Sequence, residues 1–277
     1  AWRKINMFFE KRSRRVRAGF SSIIKPLFLA FGRHVSLAEL LLWEYTCCQE
    51  DAMEKIIYHG SDHVIVKPEY GHGKPYNDYG LGFYCTENPN MAKEWGAGID
   101  HNGYANRYRI ECEGLQILNL NSSDYTMLHW LTILLENRSF DTTSPLAAEA
   151  KDYLIRHFHL EYATADIIIG YRADDSYFSF ASDFINGSIS YRQLSSAMRL
   201  GKLGQQFVLK SREAFERLQF LDYETAASSE WYKKRAFRDQ SARRQYFDVE
   251  RNFRQRGDLY ITTILDEELK ADDPRIR

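Results

Sequence analysis

Apolar and polar residues change period repeatedly along this chain, and each change marks an element. Strict alternation, or a short apolar run bounded by turn residues, predicts strands at about 55–59, 82–86, 106–113, 115–120, 166–171 and 205–210. Helical spacing predicts helices at about 37–50, 89–96, 123–137, 145–159, 176–185, 190–200 and 211–218. Capping chemistry supports several of these. Ser36 with Glu39 and Ser190 with Gln193 form capping boxes, while Asn88 precedes Pro89 and Ser144 precedes Pro145 at helix starts. Residues 67–80 read as a loop, punctuated by Pro68, Gly71, Gly73, Pro75, Asn77 and Gly80. From Glu224 to Arg256 the chain is highly charged and reads as helical, and 258–270 reads as a last amphipathic helix. Strands and helices mix without βαβ alternation, so the expected class is α+β. Three segments follow: a basic, helical extension over 1–53, a main domain over 54–221, and a charged helical extension over 222–277.

Composition adds limits rather than a function. The 277 residues carry a net charge of −1, so overall charge does not point to nucleic acid. Local charge is uneven, with nine Lys/Arg and one acid among residues 1–35, which read as a targeting peptide, an amphipathic arm, or a mobile or locally packed extension with no chemistry. The four cysteines have no ligand-type spacing and read as reduced thiols in a cytoplasmic protein. No apolar run is long enough for a membrane span. No P-loop, dinucleotide fingerprint or nucleophile elbow occurs.

The informative chemistry is a split pair of short motifs, Tyr58-His59-Gly60-Ser61 and Gly80-Leu81-Gly82-Phe83-Tyr84-Cys85-Thr86. Each sets polar residues in glycine between strand-like residues. Glycine lets a backbone approach a flat ligand, and a His and a Tyr held nearby can clamp one.

The first motif resembles the H-G-[ST] strand of the ADP-ribosyltransferase superfamily, in its diphtheria-toxin and poly(ADP-ribose) polymerase branch. The second resembles that branch's G-x-Y-x-[ST/A] element, and Trp95 stands eleven residues past Tyr84, where the branch carries a second aromatic. The segment from Asn77 to Trp95 also resembles a set of bacterial transferase-like domains. The resemblance spans roughly 54–221. It implies a split antiparallel-sheet core with a helical insertion, and NAD as substrate with no metal.

Residue by residue, it implies that His59 hydrogen-bonds a ribose and that the Gly60 backbone holds the nicotinamide amide. Ser61 would bond nearby oxygens. Gly82 and Thr86 would complete the second element, and Tyr84 and Trp95 would sandwich the nicotinamide ring. The branch normally opens a late strand with a catalytic Glu. Here the matching strand begins Gly204-Gln205-Gln206, so either Gln205 or Gln206 takes that place. Alternating strand faces allow only one of them to reach a ligand. The acid could instead come from Asp78, Asp174 or Asp175. The implied activity is transfer of ADP-ribose to a protein or nucleic-acid acceptor with release of nicotinamide, as in a toxin or effector. The basic stretch 231–256 is the candidate recruiting surface. The alternative is a module that binds NAD or ADP-ribose without cleaving it and acts through its helical extensions.

Overall fold

The structure, a computed structural model, describes residues 54–276 apart from 174 and 203. The expected helix at 37–50 and the basic stretch at 1–35 lie outside the described residues.

Two sheets and a helical layer make up the fold, which is α+β with mainly antiparallel strands. The first sheet has the order β1-β3-β7, formed by Glu54–Ser61, Gly103–Glu111 and Leu218–Ala226, all antiparallel. The second has the order β2-β6-β5-β4, formed by Phe83–Cys85, Gln206–Leu209, Ile167–Gly170 and Ile117–Asn119. Its β4–β5 pair is parallel and the others are antiparallel. Reciprocal backbone hydrogen bonds between Tyr58 and Thr86, at 2.8 and 2.9 Å, tie β1 to the end of β2.

Period-2 alternation in the second sheet separates two cores. Phe83, Cys85, Ile167, Ile169, Phe207 and Leu209 join Ile57, Tyr108 and Ile110 of the first sheet in one cluster. The intervening Ile168 and Val208 belong to a larger cluster built mostly from helices. Both faces of β5 and β6 are therefore buried, which is why Ile167–Ile169 reads as a continuous apolar run.

Helix α1 (Pro89–Gly96) begins with Asn88 accepting from the Asn90 and Met91 amides, as its sequence predicts. It lies against β1 so closely that a Cβ on Gly60 would fall 2.0 Å from the Ala92 carbonyl oxygen. Helices α2 (Met127–Asn137), α3 (Pro145–Phe158), α4 (Asp175–Ile185) and α5 (Tyr191–Ala197) form the helical layer. Ser190 and Gln193 make the expected capping box of α5. The short α6 (Arg212–Glu216) leads into β7.

The strand β7 corrects the expectation that the chain is helical from about 223. It runs through the division drawn at 222 and pairs with β3 along its length. Its charges resemble those of a solvated helix but lie on an edge strand, where Asp222 pairs with Arg107 and Glu224 with Lys93. Helix α7 (Ser228–Gln245) follows and continues into a π-helical turn at Tyr246–Glu250. The last helix, α8, is shorter than its pattern suggests, covering Ile261–Asp266. No helix among the described residues is long and apolar enough to cross a membrane.

Candidate functional site

A cleft of about 1150 Å³ opens where β1, β2, α1, β6 and α7 converge with the 62–80 loop. Of the candidate site residues read from the sequence, it brings together His59, Gly60, Asp78, Gly82, Tyr84, Trp95 and Gln206. Ser61, Thr86 and Gln205 are not among its lining residues.

His59 is positioned by both motifs. Its Nδ1 lies 2.7 Å from the Tyr84 carbonyl oxygen, and its ring stacks on Phe83 with centroids 4.2 Å apart. A carbonyl only accepts, so Nδ1 carries the proton and Nε2 of the neutral ring is an acceptor. Desolvation in the cleft lowers the His59 pKa to about 4, against the opposing effect of the Tyr84 hydrogen bond. The ring is therefore neutral at physiological pH.

Tyr84 is held by its own hydroxyl, which donates to the Gly80 carbonyl at 2.6 Å and accepts from the Tyr79 amide at 3.1 Å. Burial pushes its pKa well up, so it stays a phenol. Lys210 braces the same turn, donating to the Tyr79 and Leu81 carbonyls at 2.5 and 2.6 Å, and burial brings its pKa down to about 8.

Trp95 lies near the end of α1 and lines the cleft beside Arg172, whose guanidinium carbon is 3.6 Å from the indole centroid. The Trp95 Nε1 is buried without a hydrogen-bond partner. Gln206 opens β6, is only 5 % exposed, and its Oε1 is likewise buried without a partner. Gln205, one residue earlier, is exposed. Strand alternation thus puts Gln206, and not Gln205, at the cleft.

Several polar groups in the motifs serve the fold instead. The Ser61 hydroxyl donates to the His63 carbonyl at 2.6 Å and accepts from Asn106 at 2.8 Å, fastening the turn after β1. Thr86 is buried, its Oγ1 accepting from the Asn88 amide at 3.2 Å ahead of α1. The Gly60 Cβ position is closed by α1, and that of Gly82 by the Val208 side chain and the Leu209 carbonyl. Both glycines are thus required by packing, whatever the cleft holds. Asp78 lines the cleft, but Arg138 contacts one carboxylate oxygen at 3.0 Å and the Ala173 amide donates to the other at 2.9 Å. Asp174 is outside the described residues.

Sequence reasoning missed one wall. Tyr232, Arg235, Ala236 and Asp239 of α7 line the cleft. Their i, i+3, i+4, i+7 spacing is the signal that one helix face is involved. Arg238 on the same helix donates from Nε to Glu94 of α1 at 2.8 Å, between side chains only 12 % and 10 % exposed. Lys93 pairs with Glu224 at 2.6 Å and lies 5.0 Å from the Trp231 ring centroid. These contacts dock α7 beside Trp95.

A family model described as "Protein of unknown function (DUF3990)" matches residues 55–220. No curated protein and no solved structure matches the chain at a significant level. The matched segment contains both motifs, Trp95 and Gln206 and covers more than half of the 277 residues, so the chain belongs to the DUF3990 family.

Proposed function

We propose that the cleft binds NAD and that the protein is an NAD-dependent ADP-ribosyltransferase of the split-sheet type. The observation that carries this reading is the orphaned, buried Oε1 of Gln206, in one cleft with a neutral His59, Tyr84 and Trp95. A buried acceptor without a partner costs about 1–3 kcal/mol, and a ligand hydroxyl would recover that cost. A bare imidazole nitrogen accepts from a second hydroxyl. A dinucleotide offers such ribose hydroxyls together with a flat cationic ring for the aromatic pair. The two sheets joined through Tyr58 and Thr86 are compatible with such a core.

The reaction would break the ribose C1′–N bond, with nicotinamide leaving as the neutral base with the bonding electrons. An acceptor N–H or O–H then adds at C1′ and loses its proton. Gln206 can orient the ribose through a hydrogen bond but brings no negative charge to the developing oxocarbenium. The transfer is accordingly slow, since one preorganised charged group is worth about 10²–10³ in rate. Asp78, already holding Arg138 and the Ala173 amide, is a positioning group and not the missing acid. The acceptor would be a protein or nucleic acid presented past α7.

The uncharged Gln206 specifically favours a second reading, a module that binds NAD or ADP-ribose without cleaving it. Nicotinamide release from NAD by the wild type and by Gln206→Glu separates the two. The transferase reading expects slow release by the wild type and about 10²-fold faster release by the variant. No release from either, with NAD still bound, sinks the transferase and leaves the binding module.

A further inference from the structure

The Trp95 ring, which the NAD reading assigns to the nicotinamide, already carries a cation on one face. The Arg172 guanidinium carbon lies 3.6 Å from the Trp95 ring centroid, and both residues line the cleft. The backbone on either side of Arg172 is fixed by buried groups. The Tyr171 carbonyl accepts from the Tyr79 hydroxyl at 2.5 Å and from the Trp130 indole at 3.1 Å. The Ala173 amide donates to Asp78, which Arg138 holds in turn. Tyr79, Trp130 and Asp78 are all buried. These bonds hold the main chain at 171–173, so uncovering the ring is a movement of the Arg172 side chain.

We propose that Arg172 is a specificity-determining residue: an internal competitor that occupies the ring face of Trp95 and yields it to the nicotinamide ring of NAD. The inference rests on the NAD reading of the cleft. A guanidinium is flat and cationic and stacks on indole for the same reasons as a pyridinium. Two like charges cannot share one face, so an entering pyridinium displaces Arg172. Cleavage of the C1′–N bond turns the ring into neutral nicotinamide. Arg172 then recovers the indole and favours departure of the product. Ligands without the ring, such as ADP-ribose, leave the Arg172–Trp95 stack in place. The side chain thus sets the balance between substrate and ring-free product.

Calorimetric titration of the full chain with NAD and with ADP-ribose tests this, using wild type, Arg172→Ala and Arg172→Gln. Both variants should bind NAD about 2- to 30-fold more tightly, the range of a lost cation–π competitor, with ADP-ribose affinity unchanged within about twofold. If Arg172→Ala does not fold, as judged by circular dichroism, Arg172→Gln carries the comparison. Wild-type NAD binding with no selective gain in the variants overturns the role of Arg172 alone. Affinities for NAD and ADP-ribose that rise or fall together do the same. Absence of NAD binding by every protein overturns both this inference and the NAD reading.

Discussion

The cleft has two regions that use polar groups in opposite ways. Along β1 and β2, the hydroxyls of Tyr84, which lines the cleft, and of Ser61 and Thr86, which do not, all have partners within the protein. At Trp95 and Gln206, a buried indole N–H and a buried amide oxygen have none. Native proteins rarely tolerate such orphans, because each costs the desolvation of the group with no hydrogen bond in return. On the NAD reading, the first region is scaffold and the second is the part that meets the ligand. Residues of one short motif can divide between the two: in Tyr58-His59-Gly60-Ser61, His59 faces the cleft while Ser61 fastens a turn.

The largest effect is expected at Gly60, where α1 rests on β1. Alanine there would place its Cβ 2.0 Å from the Ala92 carbonyl oxygen, backbone against backbone. Gly60→Ala should lose about 3 kcal/mol or more in urea unfolding, as overpacking of a rigid contact does. A wild-type unfolding midpoint in this variant would show that α1 is not seated on β1 as described.

A smaller effect is expected at His59. Its folded pKa of about 4 lies below the ordinary 6.5, so the unfolded chain binds more protons between these values. The contribution of neutral His59 is present above pH 6.5 and is lost as pH falls toward 4. Ligand affinity should accordingly be flat from pH 8 to 5, with His59→Gln removing part of the acid-induced loss of stability. Titration of the His59 ring near 6.5 in an NMR experiment would contradict this.

Much of this was legible in the sequence where burial and local chemistry agreed. Strands β5 and β6 are apolar because both faces are covered, and α1, α3 and α5 start at capping residues that serve as caps. Strand β7 was not legible, since its charged residues pair across an exposed edge and imitate a solvated helix. The approach of α7 to the cleft was hidden for a related reason. Its docking depends on ion pairs such as Arg238–Glu94 and not on an apolar stripe, so no hydrophobic periodicity announces it. The motifs indicated His59, Tyr84 and Trp95, but the choice between Gln205 and Gln206 needed the register of β6 against β5, where Gln206 opposes Gly170. Arg172 needed the fold as well, because the bonds that present it to Trp95 come from residues 41 to 95 positions away in the chain.

Titration of three proteins with NAD decides whether the unpartnered Oε1 of Gln206 meets a ligand. Wild type and Gln205→Leu, altered at an exposed position off the cleft, should bind NAD alike. Gln206→Leu should be at least as stable as wild type, because it removes an unsatisfied buried polar group, yet bind NAD at least about tenfold more weakly. Equal NAD affinity in Gln206→Leu and wild type would contradict the account.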